Sequence, residues 1–314
     1  MHLRYDDDFV EAAVFLCTSG RRPGAPPLQV RRFHHERERC YAVLDSDERN
    51  AAFFNVHLSW FREWGIEKLL LDVLDEYPFV VKGVNVLAFR QARSQGDEGA
   101  ELFVNQEAPG GARSAVVAIR IQQFERDAAV TNFLRHEYMH LSDMLDPAFG
   151  YSPFLQTRGP GPAQQRITRE RYRLLWDISI DGRLTRADRA TLGTHELHRT
   201  LFDRAYSFWP GDRRQKTFDS LWNDPTPRHE ELLSLASDPR ELSHARGPLP
   251  GAACPLCGFP TFFWADLGTL KQDTLFTLQR HFPQWLPLEG VCARCVEVFQ
   301  AAGSVNMPPT VCMG

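Results

Sequence analysis

The stretch FLRHEYMHLSDMLD, residues 133–146, holds two histidines four positions apart with a glutamate directly after the first. On a helix, positions i and i+4 lie one turn apart on the same face. His136 and His140 can therefore turn both imidazoles toward one ion, at about 2.0–2.1 Å if the ion is zinc. Glu137 lies beside them, within reach of a water whose pKa zinc lowers toward about 7. H-E-x-x-H on a helix is the sequence form of such a site. The competing reading is a solvated helix with incidental histidines. Against it, the motif sits inside the apolar pattern Val130, Phe133, Leu134, Leu141 and Leu145. The helix is expected from Asp127, as N-cap, to Asp146, with Pro147 as its stop.

Upstream of this helix, FVVKGVNVLAFRQA (79–92), AELFVN (100–105) and the continuous β-branched run SAVVAIRIQ (114–122) read as strands, with turns at QGDEG and APGGAR. Residues 1–80 read as mostly helical, because NAAFFNVHLSWFREWGIEKLLLDVLDEY has apolar residues at helical spacing and ends before Pro78. TSGRRPGAPPLQ (18–29) reads as a loop and RGPGPAQQ (158–165) as a flexible link. A second strong helix is expected over 167–186, further helices to about 245, and a boundary at ARGPLPGAA. The organisation expected is α+β: a helical N-terminal part (1–80), a domain of small sheet and site helices (81–245), and a C-terminal cysteine module (250–314).

A catalytic zinc takes three protein ligands and leaves one position open. WDISIDGRL (176–184) places Asp177 and Asp181 four apart among Trp176, Ile178, Ile180 and Leu184. Carboxylates in so apolar a stretch are costly unless paired or metal-bound. One is expected to hold the ion and the other to orient a histidine N–H; both remain open, with Asp181 taken slightly ahead. Helix N-capping or a salt bridge to Arg173 or Arg183 is the ordinary alternative.

On these residues the chain resembles the zincin metallopeptidases over about 80–190. The resemblance implies zinc held by His136 and His140, with Glu137 as general base for peptide hydrolysis. It also implies an edge strand that holds extended substrate by strand addition, for which SAVVAIRI is the expected segment. The gluzincin branch carries E-x-x-x-D on its second helix, the first acid on zinc and the second bracing a histidine; DISID has that spacing with aspartate in place of glutamate. The W-N-x-A-x-D signature of some predicted bacterial metal-dependent peptidases is also similar, and there the last acid is the ligand. Laid on the metzincin pattern HExxHxxGxxH/D, the third ligand is Asp146, but Asp143 stands where that pattern needs a glycine able to take positive φ. Tyr151, Tyr172, His195 and His198 are the residue types available to face an oxyanion. THELHRT (194–200) reads as a surface helix.

Four of the seven cysteines form two CxxC pairs, Cys254 with Cys257 and Cys292 with Cys295. Two such turns suit a tetrahedral structural zinc, while Cys17, Cys40 and Cys312 are left as free thiols. The 34 residues between the pairs exceed the usual span and include LKQDTLFTLQRHF, enough for an inserted helix in a zinc-ribbon-like module. Its four acidic and three basic residues make no phosphate-binding footprint. The aromatics of FPTFFW read either as exposed stacking surface or, more plainly, as filling of the small core around the metal.

Across the chain, 43% hydrophobic and 24% charged residues with net charge −4 describe an ordinary soluble globular protein without a basic field for nucleic acid or membrane. There is no apolar run of membrane-spanning length and no basic leader, so a cytoplasmic location is expected. The arginines of 166–189 alternate with acids and read as a solvated face rather than a cleft for acidic substrate. The expected function is zinc-dependent hydrolysis of a peptide or protein substrate, with one catalytic and one structural Zn2+. The alternative is a non-catalytic protein whose cysteine module recruits a protein or nucleic-acid partner.

Overall fold

The computed structural model describes residues 1–105, 111–153, 162–237, 248 and 251–305. It is α+β, with a small four-stranded sheet and many helices. Strands β1 (His2–Tyr5), β2 (Val86–Gln91), β3 (Gly99–Asn105) and β4 (Ala112–Ile119) form one sheet in the order β1-β2-β4-β3. β1, β2 and β4 run parallel, with Leu3 opposite Leu87 and Ala88 opposite Val116. β3 runs antiparallel to β4, with Leu102 opposite Ala115.

β4 is therefore a central strand, not the edge strand that the family resemblance implied. The physical reason lies in its burial: Ala115, Val117 and Ile119 on one face are fully buried, and on the other face Ala118 is buried and Val116 half-buried. The edge on that side is β3, which leaves Phe103 and Val104 half exposed.

The N-terminal helices are α1 (Asp7–Thr18), α2 (Pro27–Arg39), α3 (Ser46–Glu63), α4 (Ile66–Leu74) and α5 (Pro78–Gly83). Pro27 opens α2 inside the segment expected to be a loop, since proline suits the first helical turn. Gly65, at φ +72°, breaks the long apolar run into α3 and α4. Pro78 likewise starts a short helix, so residues 79–83 are helical where a strand was expected.

These helices share one core with the sheet. Phe9, Phe61, Phe89 and Phe124 meet in it, joined by Val130, Leu134, Tyr138 and Leu141. The last four lie on α6 (Asp127–Leu145), the helix of the histidine motif. Its N-cap position is Arg126, not Asp127; Asp127 sits in the first turn, where its charge suits the helix dipole, and pairs with Arg22 at 2.7 Å. Asp146 is extended ahead of Pro147, and the helix stops there as expected.

Helix α7 spans Pro162–Arg186 and so begins inside the expected link, of which residues 158–161 lie outside the described ones. The remaining helices are α8 (His195–Ala205), α9 (Gly211–Asn223), α10 (His229–Ser237), α11 (Gln272–His281) and α12 (Ala293–Val305). The expected boundary around ARGPLPGAA lies mostly outside the described residues.

The chain divides into two compact units. One comprises Met1–Ser152, Asp177–His198 and Ser220–His229, so a boundary at residue 80 does not separate the N-terminal helices from the sheet. β1 pairs with β2 and α1 packs into the common core, which ties the two together. The other comprises Pro153–Trp176, Arg199–Asp219 and Glu230–Gly314 and includes the cysteine module. Within it, Phe202, Tyr206, Trp209 and Phe218 form an aromatic cluster. No helix among the described residues is long and apolar enough to cross a membrane.

Candidate functional site

Helix α6 is buried on two sides, and its two faces differ in chemistry. Val130, Leu134, Tyr138 and Leu141 enter the apolar core, while His136, Glu137, His140 and Asp143 are buried on the other side. Burying four polar side chains on one helix requires partners for each. The second half of α7 supplies most of them.

Asp177 Oδ1 lies 3.4 Å from His136 Nε2 and 3.1 Å from His140 Nε2. The potential ligand atoms of these three residues all fall within 4.8 Å of one another. Ligand atoms at about 2.0–2.1 Å from a tetrahedral zinc are separated from each other by roughly 3.3 Å. The observed separations match that edge length, and the set of two imidazole nitrogens and one carboxylate oxygen is compatible with zinc. Asp181 occupies a different place. Fully buried, it accepts a hydrogen bond from His136 Nδ1 at 2.8 Å, on the side of the ring away from Asp177. Of the two acids, it is Asp177 that faces both Nε2 atoms, while Asp181, taken slightly ahead on sequence, meets His136 only at Nδ1. The spacing of four on α7 produces both roles, because one helical turn separates the two carboxylates.

Asp181 has two further donors. His198 Nε2 lies 2.7 Å from Oδ2, and the Gly193 backbone N–H donates to the same oxygen at 2.8 Å. Burial would raise the Asp181 pKa, but hydrogen bonds from His136, His198 and Gly193 lower it to about 2. An ionised Asp181 accepts an N–H from His136 Nδ1, and in the neutral ring this tautomer would leave the Nε2 lone pair for an ion. Burial pushes the His136 imidazolium down, but Asp177 and Asp181 outweigh it and hold the metal-free group up at about 10. Burial likewise opposes the Asp177 carboxylate, and the two histidines hold it far below the usual range. The acids thus favour positive charge on the imidazoles, and a divalent cation could take the place of those protons.

Glu137 is buried next to these groups, and its Oε2 accepts the backbone N–H of Ala100 at 2.7 Å. Ala100 is on edge strand β3, so the strand and the glutamate are joined directly. Asp143, the residue that breaks the metzincin pattern, stays helical and forms a bidentate pair with Arg183 at 2.8 and 2.6 Å. Asp146 lies beyond the helix, where its Oδ1 accepts from the Ala148 N–H at 2.8 Å. It is not part of the cluster.

THELHRT reads as a surface helix, yet its His198 is buried, as are Phe202 and Tyr206 one and two turns further along α8. That i, i+4, i+8 stripe was the available signal. Of the other candidate oxyanion residues, Tyr151 is half-buried with its ring 5.6 Å from that of His229, and burial together with the charge of Glu101 raises its pKa. His195 packs edge-on against Trp222, and Tyr172 against Trp176. The arginines of α7 are not simply solvated: Arg183 pairs with Asp143, Arg186 donates to the Trp222 and Asp224 carbonyls, and Arg171 is buried.

The second candidate centre brings Cys254, Cys257, Cys292 and Cys295 together, all four sulfurs within 4.8 Å of one another. Cys257 Sγ and Cys292 Sγ are 3.9 Å apart, near the roughly 3.8 Å edge of a tetrahedron with Zn–S of about 2.3 Å and far longer than a disulfide. Burial opposes the Cys254 thiolate, but backbone N–H groups of Cys292, Cys257 and Leu256 bring its pKa down to about 7. Between the pairs stands α11, as expected. The described part of this module carries the isolated bridges Ala253–Pro260 and Trp264–Cys292 in place of ribbon strands. Phe259, Phe262 and Phe263 are exposed instead of filling the core, which is made by Leu278, Trp285, Val291 and Val296 around Cys254 and Cys292. Cys17 and Cys40 are buried free thiols; Cys312 lies outside the described residues.

No protein-family model, curated protein or solved structure matches the chain.

Proposed function

We propose that this protein is a zinc-dependent hydrolase of the zincin type, that its bond of choice is a peptide bond, and that its four-cysteine module is a structural zinc site. The observation that carries the reading is the convergence of His136 Nε2, His140 Nε2 and Asp177 Oδ1 beside the buried carboxylate of Glu137. A zinc ion at that convergence supplies Lewis acidity to a water and to the scissile carbonyl. The chain's own groups do the rest. Asp181 fixes the ring of His136 through Nδ1. The Ala100 N–H holds Oε2 of Glu137, which orients the carboxylate to take the proton of the attacking water and return it to the leaving amine. β3 offers an outer edge to an extended peptide, which fits strand addition. Among the described residues β3 is paired on one side only.

The test combines metal content with activity. Purified protein is expected to hold two zinc ions per chain and His136→Ala one. Glu137→Gln is expected to keep both ions and to lose hydrolysis of a peptide library by at least about a hundredfold. Hydrolysis that persists in Glu137→Gln removes the general base from the reading. One zinc in the wild type and in His136→Ala leaves the non-catalytic module as the better account.

A further inference from the structure

Away from the two candidate metal centres, Arg171 has no ionic or hydrogen-bonding partner at its buried Nη1 among the described residues. It stands on the first half of α7 and is 4% exposed. Its contacts are with aromatic faces: its Cζ lies 5.5 Å from the Tyr206 ring centre and 5.2 Å from that of Phe208. Stacking satisfies the face of a guanidinium but not its N–H donors, which lie in the plane. Burial lowers the Arg171 pKa, yet arginine stays charged at neutral pH. A buried, unpaired cation is among the most unfavourable arrangements in a protein unless an anion meets it.

Arg171 also lines a cavity of about 610 Å³, of the size that takes small ligands. The walls are apolar: Leu174, Leu201, Phe208 and Phe263 contribute. Leu201 and Phe263 are 41% and 77% exposed, so hydrophobic surface stands open beside the unmatched charge. Arg204 and Glu170 are the other ionisable groups lining the cavity. Glu170 pairs with Arg166 at 3.2 Å, which leaves the cavity a net positive lining.

We propose that this cavity is a binding site for an apolar carboxylate, whose charge pairs with Arg171 and whose hydrocarbon or aromatic part covers Leu174, Leu201, Phe208 and Phe263. A monoanion matches the single charge of Arg171; a carboxylate accepts two parallel N–H bonds from a guanidinium, and the apolar walls reject a fully hydrated ligand. Two sources supply this chemistry: a free aliphatic or aryl acid, and the C-terminal carboxylate of a peptide ending in an apolar residue.

Calorimetric titration of the zinc-loaded full chain tests the site with four probes: octanoate, octan-1-ol, N-acetylphenylalanine and its amide. At least one acid is expected to bind with Kd below about 1 mM, and its neutral counterpart at least tenfold more weakly. A preference for octanoate identifies a free acid, and a preference for N-acetylphenylalanine a peptide C-terminus. Arg171→Met, which removes the charge and keeps a long apolar stem, is expected to weaken the better acid at least tenfold. Leu201→Glu puts a negative charge on an exposed wall and is expected to do the same without touching the core, so the test holds even if Arg171→Met fails to fold. No saturation by either acid, equal binding of the neutral counterparts, or wild-type binding in Leu201→Glu would overturn the site.

Discussion

At the scale of single residues, Asp177 and Asp181 show how one side-chain type takes two jobs by position. Both are aspartates, one turn apart on one helix, and both touch His136. Asp177 meets two imidazoles on their ligating nitrogens. Asp181 takes three donors in a site with no exposure, and none of them is Nε2 of a motif histidine. Asp177→Ala is therefore expected to empty the histidine site, lowering zinc from two to one per chain. Asp181→Asn keeps a bond partner for His136 but loses the charge that fixes its tautomer; it is expected to keep two zincs and to weaken the first by about 10- to 100-fold. Chelator competition followed by elemental analysis separates these outcomes. Equal loss in both variants would mean that the two acids share the ion. Short as its side chain is, Asp177 still reaches 3.1 Å from His140 Nε2.

At the scale of elements, the site depends on how closely α7 approaches its neighbours. Gly182 follows Asp181, and a Cβ built there would lie 2.1 Å from the Trp222 carbonyl oxygen. The same carbonyl accepts a hydrogen bond from Arg186, so it cannot withdraw freely. In an open helix Gly→Ala gains about 1 kcal/mol. Here the clash is with backbone and outweighs that gain, so Gly182→Ala is expected to destabilise by about 1–3 kcal/mol net. Denaturant unfolding measures it, and a stabilised variant would show that the helix can shift away. Arg183, on the next position, braces the opposite helix through Asp143. Two consecutive residues of α7, one small and one long, thus set its distance from Trp222 and tie it to α6.

At the scale of the whole molecule, the two candidate centres rest on different kinds of support. The histidine site is embedded in a unit with a large apolar core that includes Phe9, Phe61, Leu87 and Tyr138. The cysteine module has a core of few residues around the sulfurs themselves. Small cores of that kind depend on their metal for folding free energy. In a Cys254→Ser/Cys257→Ser double variant, amides of residues 254–299 are expected to lose protection from hydrogen exchange, while those of β2 and α6 keep theirs. Unchanged protection in the module would mean that zinc does not hold it together. Much of this division was visible in advance. The HExxH helix, the two acids one turn apart, the paired cysteines and the helix between them are all local patterns with fixed spacing. What stayed hidden was non-local. The strand His2–Tyr5 is too short for its alternation to be distinguished from a tail. His198 gave its burial only as a stripe along α8, and nothing in its own segment pointed to Asp181.

The sequence by itself determined the chemistry offered: helical periodicity puts His136 and His140 on one face and Asp177 and Asp181 one turn apart, because those relations depend only on backbone geometry along a single element. It also determined that residues 114–119 would form a strand, since a run so rich in β-branched residues favours the extended backbone. The tertiary structure decided which acid meets which nitrogen, that β3 rather than β4 forms the edge beside Glu137, and that Arg171 is buried without an anion among the described residues. Each of these turns on the distance and angle between elements far apart in the chain, which no local pattern encodes.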